Sequence, residues 1–237
     1  MVVAVSTVSY GSYLLLQVTK ESGILLSAIL GGIYSSTATT VALAKRSARE
    51  NHPRLFAGSI LLASAFMYLR ITILVGIFNW RLLQLLAGPF IVLAVAAALS
   101  GFLWSRSAED SHEKLRRQYK HENPLELRSA FFFAGLFLVI LILTRLAFSY
   151  MGNSGAYVLG FITGFADVDP FIMSMTQPAG AATNLGVSAG AILLAVSTNN
   201  LAKGCYAYFF GERRTGLQSL TMLTLLALAG LIPMLWL

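Results

Sequence analysis

The sequence predicts an all-α integral membrane protein: about eight transmembrane helices in two parallel four-helix repeats, two of the helices being broken. Three observations predict it. The composition is 57% hydrophobic and 11% charged, with a mean hydropathy of +0.72, which suits a chain dissolved in lipid rather than a soluble domain. Apolar segments of about 20 residues, the length that crosses a bilayer, recur between polar connections. Finally, the second half of the chain echoes the first at an offset of 132 residues.

The formal net charge of +7 does not point to nucleic acid, because the basic residues gather mostly in two connections between apolar segments, as topology signals do. The single cysteine, Cys205, lies in an apolar stretch, so neither a disulfide framework nor a thiolate metal site is expected. Nothing calls for a cofactor.

In chain order, Met1 to Val18 reads as a first span rather than a signal peptide, since it lacks a basic start and a small-residue cleavage site. Ser22 to Ala44, Phe56 to Ile77 and Leu82 to Trp104 follow, the last two joined by the tight Phe78-Asn79-Trp80-Arg81 turn. The charged stretch Ser105 to Arg128 is read as a linker whose mixed charges form a solvated face, without a binding role for His112 or His121. Ala130 to Tyr150, Ser154 to Met175, Gly186 to Phe210 and Leu217 to Leu237 complete the eight. The domains are then residues 1–104, the linker 105–128 and residues 129–237.

At the offset of 132, Ser22-Gly23 falls on Ser154-Gly155, Gly32 on Gly164, the run Gly58 to Ala63 on Gly190 to Ala195, and Leu69 on Leu201, without a gap. Apolar sequences match easily, but ungapped agreement that includes glycines favours duplication. Four spans return a chain to its starting side, so the halves should share an orientation. Placing the Lys45 to Arg54 loop and the linker inside puts ten Lys and Arg there, against Lys20, Arg81, Arg213 and Arg214 outside, with both termini cytoplasmic. Arg213-Arg214 dissent from that arrangement.

The candidate site lies where the two broken segments correspond. Asp167 and Asp169 sit in an apolar segment, where a carboxylate costs about 2.5–3.5 kcal/mol and needs a partner or a water-filled cavity. Pro170 disfavours helix at Asp169 but suits the first turn of a helix that Asp169 could cap. In register, Ser35 falls on Asp167 and Thr37 on Asp169. The expected helix breaks are therefore Gly31, Gly32, Gly164 and Pro170, and the expected site is Asp167, Asp169, Ser35, Ser36, Thr37, Thr39 and Thr40. Arg70 and Lys203 fall one residue apart in register and are read as counter-charges, with Asn199 and Asn200 beside them in a polar core. The plainer alternatives are that the Ser/Thr run serves close packing and back-bonding, and that the charges only lock the halves together.

The run Gly31 to Ala44 with its following basic loop, the Gly164-Phe165-Ala166-Asp167-Val168-Asp169 stretch and the Ser197 to Lys203 stretch together resemble the C-terminal membrane domain of unknown function of MgtC/SapB-family proteins. The resemblance covers nearly the whole chain. It implies a bacterial or archaeal inner membrane and a link to magnesium homeostasis. The MgtC-like region that usually precedes such a domain is missing here, and the expectation is therefore a fragment or the partner of a separate MgtC-like membrane subunit, with a homo-oligomer as a further option.

Three function classes follow. The first is a transporter or channel for a small inorganic ion, with a divalent cation such as magnesium as one candidate, held as a metal by Asp167 and Asp169 with hydroxyl and carbonyl oxygens. Arg70 and Lys203 oppose such a cation, which leaves proton coupling or an anion at half-helix N-termini open. The second is a non-transporting membrane subunit or regulator whose buried charges serve assembly. The third, an intramembrane enzyme, is not expected: no histidine lies in a span, and Gly186-Val187-Ser188-Ala189-Gly190 opens an apolar segment rather than a strand-to-helix turn.

Overall fold

A computed structural model describes residues 24–50, 52–106, 149–176 and 184–237, with scattered helical residues between 135 and 147. Among these residues there is no strand. The helices are α1 (Ile24–Ser47), α2 (Pro53–Phe78), α3 (Trp80–Arg106), α4 (Asn153–Gly164), α5 (Asp169–Thr176), α6 (Leu185–Phe210) and α7 (Arg213–Leu231), the last running into a 3-10 turn at Ile232–Trp236. Five helical segments are long and apolar enough to cross a membrane, so the chain reads as a membrane protein. The predicted span Met1 to Val18 and nearly all of the linker lie outside the described residues.

Local chemistry sets the helix ends. Pro53 opens α2, where its missing N–H costs nothing. Asn79 separates α2 from α3, and its side chain accepts the Leu82 N–H at 3.1 Å. Asn184 caps α6 through the Gly186 N–H at 3.1 Å, and Glu212 caps α7 through the Thr215 N–H at 2.9 Å. α2 and α6 are the most enclosed of the long helices, whereas α3 and α7 turn Val92, Val95, Leu99, Leu225 and Leu228 outward. Outward apolar rows of this kind suit lipid contact.

Two of the predicted spans fold back on themselves. α1 loses helical geometry at Ser35 (φ −154, ψ 102), and a Cβ added to Gly31 would lie 2.5 Å from the Thr39 hydroxyl. In a straight helix those residues stand about 12 Å apart along the axis. α1 therefore folds back on itself, as two arms meeting at a tip. The Ser154 to Met175 segment does the same: α4 and α5 flank the tip Phe165–Val168, and a Cβ on Gly160 would meet the Phe171 ring at 3.3 Å. Each α1 arm has some 11 or 12 residues, about 16–18 Å, roughly half the hydrocarbon thickness. Both segments are helical hairpins.

The expected parallel arrangement is also overturned. Asn200 donates to the Tyr68 hydroxyl at 2.7 Å and Lys203 to Ser64 at 3.0 Å, so residue numbers rise along α6 as they fall along α2. α3 and α7 oppose each other likewise, through Trp104 to Gln218 at 3.1 Å and Gly230 against Leu93. Ser47 accepts the Glu212 N–H at 3.0 Å, which puts the end of α1 and the α6–α7 turn on one face with Pro53 and Arg106. The α2–α3 turn, the start of α6 and Leu237 lie on the other. The expectation assumed that every apolar segment crosses, and a segment that folds back on itself changes that count.

The offset of 132 nevertheless recurs in the geometry. α6 begins and ends 132 residues after α2. A Cβ on Gly32 would lie 2.6 Å from Ala63 Cα, and one on Gly164 would lie 2.7 Å from the Ala195 carbonyl. Tyr68 and Asn200, which touch, are themselves 132 apart.

Candidate functional site

The two hairpin tips meet near the middle of the molecule, and Arg70 of α2 joins them. Its Nη2 donates to both Asp169 carboxylate oxygens at 2.8 and 2.6 Å, while Nη1 donates to the Tyr34 carbonyl at 2.6 Å and the Ile33 carbonyl at 3.3 Å. Those carbonyls are free because Ser35 ends the first arm of α1. Both side chains of the ion pair are at most one-tenth exposed. A guanidinium suits this position because its fixed fork serves two acceptor sets at once.

Each tip caps its own return arm. Ser35 Oγ accepts the Ala38 N–H at 3.3 Å, and Asp167 Oδ1 accepts the Asp169 N–H at 3.1 Å. These two capping residues are 132 apart. The carbonyls that close α4 have partners from α6: Gly164 accepts from Asn199 Nδ2 at 3.0 Å, and Phe165 from the Tyr206 hydroxyl at 2.6 Å.

A cavity of about 810 Å³ opens beside the tips, lined by Ser35, Ser36, Thr37, Arg70, Asp167 and Asn199 at its polar end. Ala38, Val41, Ala42 and Lys45 continue its wall along the return arm of α1. From Ser35 to Lys45 the return arm rises about 15 Å, so the wall runs from the tips to the face that carries Ser47. Both the cavity and the tips accord with the rule that irregular backbone at membrane depth must be buried in protein or line a water-filled space.

Several expectations need correction. Gly31 and Gly32 are not the break; they lie in the first arm and make room for Thr39 and Ala63, while the break falls at Ser35, whose side chain can cap the arm that follows. Gly164 ends α4 and Pro170 sits in the first turn of α5, so the second break lies between them. Thr39 packs against Gly31 and Thr40 donates to the Ser36 carbonyl at 2.8 Å, so neither lines the cavity. Lys203 faces no described carboxylate. Its ammonium, fully buried, donates to Ser64 at 3.0 Å, Met67 Sδ at 3.3 Å and Ser36 at 3.5 Å. Asn200 is engaged with Tyr68 away from the cavity. Among the described residues, no three His, Cys, Asp or Glu side chains gather as a metal site.

Sequence reasoning missed Tyr68, Tyr206, Ser64 and the wall position of Lys45. The offset held a signal for the first, since Tyr68 falls on Asn200; the others carry none.

The family model described as Domain of unknown function (DUF4010) matches residues 3–211. An Aquifex aeolicus (strain VF5) protein carrying the name "Uncharacterized protein" is 32% identical over 196 residues, covering 81% of this chain and 84% of the relative. No solved structure matches significantly. With most of its length matched by that model, the chain belongs to the DUF4010 family.

Proposed function

We propose that this chain is a membrane transport protein built from two inverted halves, each a re-entrant hairpin followed by a helical pair, with a small charged solute bound between the hairpin tips. The observation that carries the reading is Arg70, which ties the Asp169 end of one tip to the freed carbonyls of the other on the wall of a cavity open to one face. Discontinuous helices meeting at mid-membrane, from halves of opposite direction, are the construction that secondary transporters use to bind solute and alternate access. No enzymatic role is proposed.

The face bearing Ser47, Arg106 and Glu212 is the cytoplasmic one in this reading. It gathers Lys45, Arg46, Arg49, Arg54, Arg106 and Arg213-Arg214, against Arg81 on the other. The pair that dissented from the parallel arrangement now agrees. An inner-membrane location and any link to magnesium homeostasis rest on the MgtC/SapB resemblance alone.

Inverted halves also supply an alternation. The return arm of α1 lines the open cavity, whereas its counterpart α5 is buried throughout. Exchange of those environments would close one face and open the other. Magnesium is poorly served: both Asp169 oxygens and one Asp167 oxygen already accept hydrogen bonds, and Mg²⁺ asks for about six oxygens. The second reading, an assembly role, draws on the same Arg70 bridge.

Reconstitution in liposomes decides between them. Transport predicts solute-dependent flux from the wild type that falls at least about tenfold in Asp167→Asn and Asp169→Asn proteins that still fold. Flux untouched by both substitutions sinks the site; no flux from wild type, with Asp169→Asn failing to assemble, selects the assembly role. In a Cys205→Ala background, a cysteine at Ala42 should label from the face that carries Ser47, and one at Ser174, buried in this state, should label from the other face only as the two environments exchange.

A further inference from the structure

Resting on the transport reading, we infer that the solute is a small amino-acid-like zwitterion, its carboxylate against the return arm of α1 and its ammonium against Asp167 and Asn199. The argument begins with which polar groups of the cavity are already committed. Arg70 and Asp169 neutralise each other. Ser36 Oγ takes a hydrogen from Lys203, so its own O–H is left to donate. The first-turn N–H groups after the Ser35 break lack intrahelical acceptors, and only that of Ala38 is taken by Ser35. One wall therefore offers donors beside the positive end of a helix dipole, which suits a carboxylate.

The facing groups have the opposite character. Asp167 commits one oxygen to the Asp169 N–H, and its second accepts from no described residue. Asn199 is 2% exposed, lines the cavity, and has no described partner for Oδ1. Its orientation is fixed, because Nδ2 donates to Gly164. An acceptor so buried calls for a donor, and a carboxylate oxygen near it calls for a cationic one.

The two walls exclude the simpler ligands. A lone anion would leave the buried Asn199 oxygen and the second Asp167 oxygen without a donor, and a lone cation would leave the Ser36 hydroxyl and the freed N–H groups of α1 without an acceptor. A zwitterion satisfies both walls and adds no net charge. Beyond the polar end, Ala38, Val41, Ala42 and Met67 leave an apolar wall for a side chain. The volume of about 810 Å³ lies in the range of small-molecule sites and exceeds what a bare ion needs.

The test is thermal stabilisation and calorimetric binding with the full chain in detergent. The probes are the twenty protein amino acids one at a time, sodium acetate, methylammonium chloride and magnesium chloride. At least one amino acid should bind while acetate and methylammonium bind at least about tenfold more weakly, each using one wall only. Asp167→Asn keeps an oxygen for the α5 cap, so the protein should fold, yet its affinity should fall about tenfold or more. Ser36→Ala should weaken binding from the other wall. Failure of every amino acid to bind, equal binding of acetate, or indifference to Asp167→Asn overturns the inference. Amino-acid binding without uptake into liposomes upholds the zwitterion site and removes the transport reading; magnesium flux without amino-acid binding does the reverse.

Discussion

Arg70 and Asp169 show how a buried charge is retained in this chain. The pair lies between two hairpin tips, and Arg70 satisfies the carboxylate of one and the open Tyr34 carbonyl of the other. Breaking such a pair costs far more than replacing it, because the survivor stays buried and unpaired. Asp169→Ala should therefore destabilise the protein by about 3–5 kcal/mol, read as a loss of thermal stability in detergent, and the double change Arg70→Met with Asp169→Leu should recover part of it. A double variant no more stable than the single one would place the cost elsewhere. Arg70→Lys should not rescue binding, since one ammonium cannot serve both the carboxylate and the Tyr34 carbonyl from this position. At this scale the sequence was informative. A charge in an apolar segment must be accounted for, and that rule singled out Asp167, Asp169, Arg70 and Lys203. Pairing was less legible, because which cation reaches which carboxylate depends on helix direction. Lys203 ended beside Ser64 and Met67 for that reason.

Among the elements, the hairpins were the hardest to foresee. Twenty-four residues of α1 satisfy every length and hydropathy criterion for a span, and the reversal hangs on one non-helical residue. Ser35 can end one arm and cap the next, whereas the glycines beside it serve close approach; composition alone does not separate these roles. Close approach can be tested. Gly32→Ala places a methyl group 2.6 Å from Ala63 Cα and should cost about 1–3 kcal/mol, while Gly88→Ala, with nothing within 4 Å, should be neutral or stabilising. Equal effects would remove the packing argument. The α6–α7 turn adds a pH dependence. Partial burial pushes the Glu212 carboxyl up, but hydrogen bonds from Arg214 and Thr215 hold it below its ordinary 4.5. A carboxylate lowered on folding contributes stability that is present above its unfolded pKa and lost as pH falls through the folded one. Stability should therefore drop on acidification below about pH 4.5, and less so in Glu212→Gln, measured by thermal unfolding across that range.

For the whole molecule, the ends of α2 and α6 match the offset of 132, whereas the two helices run in opposite directions. Residue matches report which positions correspond, but they carry no sign of direction; only the count of crossings does, and re-entrant segments miscount it. Arg213-Arg214 were the clue, since two cations stood on the side where the parallel arrangement wanted none. The inverted reading makes a prediction that the parallel one reverses. A reporter fused after Leu237 should be active on the extracytoplasmic side, while one inserted at the Lys45 to Arg54 loop should be cytoplasmic. The same side for both would restore the parallel arrangement.

The contact between Tyr68 and Asn200 has a historical consequence under the proposed duplication. Where a two-fold axis passes, identical chains present the same residue to itself, so an ancestral pair of separate halves had to meet there as tyrosine against tyrosine or asparagine against asparagine. A donor–acceptor pair of unlike residues became possible only once duplication gave two copies that could drift apart. The same freedom explains why Arg70 faces its partner hairpin while Ala202 fills the equivalent place. Before fusion, half-length chains would have needed to insert in both directions; afterwards a single basic face could fix one.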